Sequence, residues 1–147
     1  MNEKIIQFAQ KQKVTSLCCI DETGKPYCFN CFFSFDGEER LLYFKSSSQS
    51  NHMKLMSVKP EVAGAILPDK LNVLAIKGIQ YTGILLSSNE ELTKTAAKHY
   101  HKKYPFALTI PGDVFAIQLI KIKMTDSSNV FGKKIEWERE RRDAVEA

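Results

Sequence analysis

Long apolar runs are missing from this sequence: the uninterrupted ones extend over only a few residues, far short of the roughly 20 that a membrane-spanning helix needs. The N-terminal stretch MNEKIIQFAQKQK also lacks the apolar centre of an export signal, so a cytoplasmic location is the expectation. Cysteine is scarce. The four present, Cys18, Cys19, Cys28 and Cys31, are expected as reduced thiols that pack as small hydrophobes, without disulfides. A dominant charge is lacking too: 21 basic against 17 acidic residues leave a diffuse +4. Nucleic-acid binders concentrate their basic side chains on one face, and here KHYHKK (98–103) is the single local cluster, so nucleic acid is not an expected partner. Compositional bias is absent as well, since 44% hydrophobic and 26% charged residues are close to the globular average, which excludes disordered and fibrous classes. At 147 residues the chain is expected to form a single domain, residues 1–147, large enough to bury a core.

What is there is mostly strand. Residues 2–12 alternate Ile5, Ile6, Phe8 and Ala9 with Lys and Gln, which suits a short amphipathic helix. VTSLCCI (14–20), YCFNCFFSF (27–35) and LLYFK (41–45), separated by the turn sequences DETGKP and FDGEER, predict a three-stranded antiparallel meander. SNHMKLMSVKP (50–60) predicts about two helical turns stopped by Pro60. EVAGAIL (61–67) follows as a strand. VLAIKGIQYTGILL (73–86) is too long for a plain strand, and Gly78 and Gly83 within it suggest a bulge or bend of the kind that curls a sheet. Ser88 with Glu91 forms a capping-box pattern for a helix that begins near Asn89 and ends before Pro105. DVFAIQLIKIKMT (113–125) is a long strand, and VFGKKIEWERE a last strand or extended tail. Hairpin-linked strands with short helices predict a mainly β, α+β fold: a small six-stranded antiparallel barrel.

The residues that carry chemistry concentrate at one junction, YFKSSSQSNHMKLM (43–56). A strand that leaves through small hydroxyl residues into a helix offers backbone N–H groups and the positive end of a helix dipole, both suited to an anion such as phosphate. An ordinary polar loop with Ser50 as N-cap is the alternative. A metal site is not expected: Cys28 and Cys31 lie on a strand with opposite facing, and His99 and His101 diverge on a helix. Trp137, the single tryptophan, either covers its own barrel or packs at a subunit interface or over a flat ligand.

The order of these elements resembles the pyridoxamine-phosphate-oxidase-like, FMN-binding split-barrel superfamily, and within it the YhbP-like group. The resemblance rests on the opening meander VTSLCCIDETGKPYCFNCFFSFDGEERLLYF, on SSSQSNHMKLMSVKPEVAGAI, on IKGIQYTGIL and on FGKKIEW. It implies a Greek-key split barrel that forms a homodimer, with FMN in a cleft at the interface and the flavin phosphate near the end of the third strand. By position it makes Lys45, Ser46, Ser47, Ser50, Asn51, His52 and Lys54 phosphate-side candidates. Asn30, Cys31 and Phe32 would lie along the ring or ribityl chain, Gly78 and Gln80 would line the ring, and Trp137, in a tail comprising residues 131–147, would approach from the partner chain. The activity implied is that of a flavin-dependent oxidoreductase, with no residue singled out as acid or base. The competing expectation is a non-catalytic split-barrel dimer that holds another small ligand or none, as a sensor or carrier.

Overall fold

The structure, a computed structural model, describes residues 1–127 and 133–141. Phe131 and Gly132 of the predicted tail, and its last six residues, lie outside the described residues.

Helix α1 (Glu3–Lys11) starts at Asn2, whose side chain accepts a hydrogen bond from the Lys4 backbone N–H at 2.9 Å, and buries Ile5, Phe8 and Ala9. The predicted meander follows as β1 (Val14–Ile20), β2 (Pro26–Asp36) and β3 (Leu41–Ser46), all antiparallel. Helix α2 (Asn51–Val58) then carries the chain across to β4 (Glu61–Ile66), which pairs with the far edge of β1 rather than with β3. That jump is the Greek-key step. β5 (Lys77–Leu85) pairs with β4, and β6 (Asp113–Asp126) with β5. β6 also pairs with β3, which closes six strands into a barrel in the order β3-β2-β1-β4-β5-β6. A seventh strand, β7 (Lys133–Glu138), adds to β6 beyond the segment that β3 occupies.

Closure depends on the bend that glycine predicts in the fifth strand. The register between β5 and β6 shifts between Thr82 and Gly83, so Ile120 is the extra residue on β6. Gly83 is required there because a Cβ would come within 2.6 Å of Ile117 Cγ2 and 2.7 Å of the Gln118 carbonyl. Gly78, the other glycine considered, continues the regular ladder opposite Thr125.

Two local expectations are corrected. β5 begins at Lys77 rather than residue 73, because Asn72 turns the chain, its carbonyl accepting from the Ala75 N–H at 3.1 Å. Helix α3 (Glu90–Lys103) is capped by Asn89, which accepts from the Leu92 N–H at 2.8 Å, not by Ser88. Glu90 and Glu91 lie in the first turn, where the helix dipole favours acids.

The barrel interior holds Leu17, Phe33, Phe35, Leu42, Phe44, Ile117 and Met124, joined by Ile5 and Phe8 of α1 and Met53 and Met56 of α2. A second cluster lies outside the barrel, where Ala96, Tyr100 and Tyr104 pack on Leu41, Tyr43, Val114 and Ala116. Pro105 ends α3 and opens a short 3-10 helix, Pro105–Thr109. Thus α3 covers the outer face of β3 and the start of β6. On the outer face formed by β1, β4 and β5, Ser16, Ala63, Ala65, Gln80 and Thr82 are exposed, so no described helix covers them.

Candidate functional site

Strand alternation decides which residues meet at the end of β3. Lys45 and Ser46 are neighbours on a strand and therefore point to opposite sides. Ser46 turns toward α2, where its Oγ lies 2.7 Å from His52 Nε2 and 3.3 Å from Ser50 Oγ. Ser50 Oγ in turn donates to the Ser47 carbonyl at 2.8 Å. Having made these bonds, Ser50 occupies the N-cap position of α2 without capping it through its side chain. The first-turn N–H groups and the positive end of the helix therefore stand beside a ring of hydroxyls.

His52 is fixed from the other side. Its ring lies flat on Phe29 of β2, with 3.7 Å between centroids and 12° between planes. Burial pushes its pKa below the usual histidine value, so the imidazole is neutral at physiological pH. Lys45 is directed away from this cluster: its Nζ donates to the Ala107 carbonyl at 2.7 Å and sits 3.1 Å from His101 Nε2. Asn51 and Lys54 are turned outward, into a separate pocket of about 240 Å³ that Asp21, Glu22 and Lys59 also line. The cradle is thus built from hydroxyls, backbone N–H groups and one neutral imidazole, and neither Lys45 nor Lys54 turns into it.

The second group of candidates lies on the bare outer face. Asn30 Oδ1 accepts from Ser16 Oγ at 2.7 Å, and Ser16 opens a cross-strand row that continues through Ala65, Gln80, Lys123 and Glu136. The parallel row runs Cys28, Cys18, Ala63, Thr82, Lys121 and Glu138. Between them runs a groove of about 700 Å³, with Ala63 and Thr82 in its lining and a Lys121–Glu138 ion pair at 3.6 Å along it. Small residues in the middle strands make this surface flat. Phe32 is half exposed at its margin, its ring 5.8 Å from that of Tyr104.

Not all candidates converge. Ser46, Ser47, Ser50 and His52 form one cluster, and Asn30 and Gln80 share the outer face. Cys31 points inward against the barrel core, where burial pushes its thiol up to about 12. Gly78 follows the β5 backbone, where a Cβ would lie 3.1 Å from the Ile66 carbonyl. Trp137 packs on its own barrel, with the Arg40 and Arg139 guanidinium carbons 5.5 and 5.7 Å from its ring centroid, and it lines the same groove as Gln80. Sequence reasoning missed Phe29 as the platform for His52, and Ser16 and Lys123 as neighbours of Asn30 and Gln80. The alternation in VTSLCCI and IKIK held that signal, since it sends Ser16, Lys121 and Lys123 to the outer face.

Comparison with known proteins places this geometry. No family model matches the chain. A UPF0306 protein of Yersinia enterocolitica is 33% identical over 135 residues, which is 92% of this chain and 91% of that one. Among solved structures, a pyridoxamine 5'-phosphate oxidase-related, FMN binding protein from Nostoc punctiforme superposes with a TM-score of 0.70 at 10% identity, over 97% of this chain and 92% of that one. A heme binding protein from Mycobacterium smegmatis superposes with a TM-score of 0.73 at 13% identity, over 89% of this chain and 55% of that one. The fold is therefore that of the pyridoxamine-phosphate-oxidase-like split barrels, and proteins that share it hold different groups.

Proposed function

The chain belongs to the UPF0306 protein family, and we propose that it binds FMN in the cleft of a homodimer and serves as a flavin-dependent oxidoreductase. The observation that carries this reading is the start of α2, which no side chain caps and around which Ser46, Ser50 and His52 gather. That donor set fits a phosphate monoester: first-turn backbone N–H groups donate to its oxygens, the Ser46 and Ser50 hydroxyls rotate from their present partners to do the same, and the helix dipole favours its charge. His52 is neutral before binding, so an anion beside it raises its pKa and favours its protonated form, and Lys54, further along the same helix, adds positive charge at longer range. Bound FMN would supply hydride and electron transfer from its ring. Asn30 and Gln80 are the polar side chains of the outer face placed to contact a ring lying along it. A second copy seated on the flat rows of Ser16, Ala63 and Ala65 would close the cleft.

A second reading, a non-catalytic dimer that carries another small ligand, is favoured by one observation: Lys45 spends its charge on the Ala107 carbonyl and leaves the cradle weakly cationic. The visible absorption spectrum separates these readings. Flavin bands that travel with the dimer through gel filtration after FMN is added support the oxidoreductase. A colourless dimer that refuses FMN leaves the carrier. The double substitution His52→Ala with Lys54→Ala is expected to weaken FMN at least tenfold, about 1.4 kcal/mol, with the dimer intact. Unchanged affinity in a fluorescence titration would displace the phosphate from α2.

A further inference from the structure

All four cysteines belong to the first hairpin, but only two of them share a face and a cross-strand position. The register of β1 and β2 sets Cys18 directly opposite Cys28. In an antiparallel ladder the pairs alternate between those that exchange backbone hydrogen bonds and those that do not. Here the Phe33 N–H donates to the Lys13 carbonyl at 2.9 Å and the Asp21 N–H to the Lys25 carbonyl at 2.8 Å. Both are hydrogen-bonded pairs, so every second pair between them is as well, and Cys18–Cys28 falls in the alternate set. Residues opposite each other there bring their Cα atoms to about 4.5 Å and their side chains close together, at the near end of the roughly 4.4–6.8 Å window in which a disulfide closes.

The remaining two cysteines are excluded by the same alternation. Cys19 is buried on the core side opposite Tyr27, and Cys31 faces the core opposite Thr15. Cys28 is exposed and Cys18 half-buried on the outer face, and the pairing register sets the two directly opposite each other. Burial, and then Cys28 beside it, push the Cys18 thiol above its ordinary value, so Cys28 is the thiol that meets reagents first.

We propose that Cys18 and Cys28 form a reversible intramolecular disulfide, a thiol-oxidation site on the outer face of the hairpin, with small disulfides of the glutathione class as oxidant. The Cys28 thiol loses its proton to solvent and the thiolate attacks one sulfur of the small disulfide, which releases one small thiolate and leaves a mixed disulfide on Cys28. Cys18, deprotonated in turn, attacks Cys28 Sγ and expels the second small thiolate. Two protein thiols are oxidised to one disulfide, one small disulfide is reduced to two thiols, and the protons pass through solvent to the released thiolates. The site depends on no cofactor, but Cys18 and Cys28 share the row of Ala63 on the face where the proposed second copy would sit, so their oxidation requires this end of the row to stay open to solvent.

The purified chain is incubated with oxidised glutathione, and free thiols are counted and mapped by mass spectrometry of non-reduced peptides. The expected product retains two of its four thiols, carries no stable adduct and yields a peptide that links Cys18 to Cys28; dithiothreitol restores all thiols. Cys18→Ser is expected to stop at a stable glutathione adduct on Cys28, and Cys28→Ser to react at least tenfold more slowly than the parent. Four thiols that survive the incubation, a link between any other pair, a link between chains on a non-reducing gel, or a Cys28→Ser variant that reacts at the parental rate would each overturn the proposal. The peptide map of the parent chain decides the matter even where a variant folds poorly.

Discussion

The barrel presents two outer faces built on different terms. Under α3, the outward positions of β3 and β6 hold Leu41, Tyr43, Val114 and Ala116, and the helix answers with Ala96, Tyr100 and Tyr104. Around the barrel, the outward positions of β1, β4 and β5 hold Ser16, Cys18, Ala63, Ala65, Gln80 and Thr82. Both sets occupy the same alternate positions of one continuous sheet, so backbone geometry does not separate them. Side-chain volume does. The covered face is filled by aromatics that need a lid to be stable, whereas the bare face is levelled by small residues that cost little in water and let a flat partner approach closely.

Removing volume from the covered face should therefore have the largest effect. Tyr100 is 5% exposed and its ring centre lies 4.9 Å from that of Tyr104. Tyr100→Ala is expected to cost about 3–5 kcal/mol in urea unfolding, while Thr82→Val on the bare face stays within about 0.5 kcal/mol. Equal effects would mean that the two faces are not built differently.

The bare face is thin, and its small residues are held from beneath. Gly64 of β4 sits over the Tyr81 side chain, and a Cβ there would come within 2.2 Å of Tyr81 Cζ and 2.8 Å of the Ser16 carbonyl. Tyr81 is buried and hydrogen-bonds Thr15 at 2.9 Å, so it cannot simply swing aside. Gly64→Ala should destabilise the fold by about 1–3 kcal/mol through overpacking, a cost that thermal unfolding would register. A neutral substitution would show that Tyr81 yields more readily than its buried bond implies.

How much of this was legible in the sequence follows the same division. Alternation in YCFNCFFSF put Cys28 and Cys31 on opposite faces correctly because strand period is a backbone property, and Gly83 announced the bend because a Cβ there would press on Ile117. The cap at Asn89 was missed because Ser88 and Asn89 are both good caps, and only the chain's path settles which is used. Within the candidate site, the serine loop was legible as a donor cluster. The direction of Lys45 was not, since it depends on the Ala107 carbonyl 62 residues away in sequence. The stack of His52 on Phe29 and the facing of Ser16 toward Asn30 are likewise contacts between distant segments, which local pattern does not encode.

If the flat rows of the bare face are where a second copy sits, charge placed there should break the pair without unfolding the chain. Ala65 is exposed and stands between Ser16 and Gln80. Ala65→Glu, which sets two like carboxylates facing across a twofold axis, is expected to convert a dimer to monomers in sedimentation velocity, with monomer stability changed by no more than about 0.5 kcal/mol. A dimer that survives this change would move the interface to another face and leave the groove beside Ala63 to a different partner.

The smallest effect belongs to the covered side and is read as a slope with pH. Lys103, at the end of α3, donates to the Gln12 and Phe33 carbonyls, and its ammonium lies 5.0 Å from the Phe33 ring centre. Burial lowers its pKa from 10.5 to about 8, only partly offset by Asp69. Between these values the unfolded chain holds a proton that the folded chain has released, so this residue makes stability rise with pH from about 8 toward 10.5. Below pH 8 both states are protonated and the burial penalty is paid in full. The half-exposed site is screened by water, which keeps the gain under about 1 kcal/mol. Lys103→Met should flatten that slope between pH 8 and 10 in parallel urea titrations, whatever it does to absolute stability. An unchanged slope would mean that the ammonium is as well solvated at the end of α3 as it would be on the bare face.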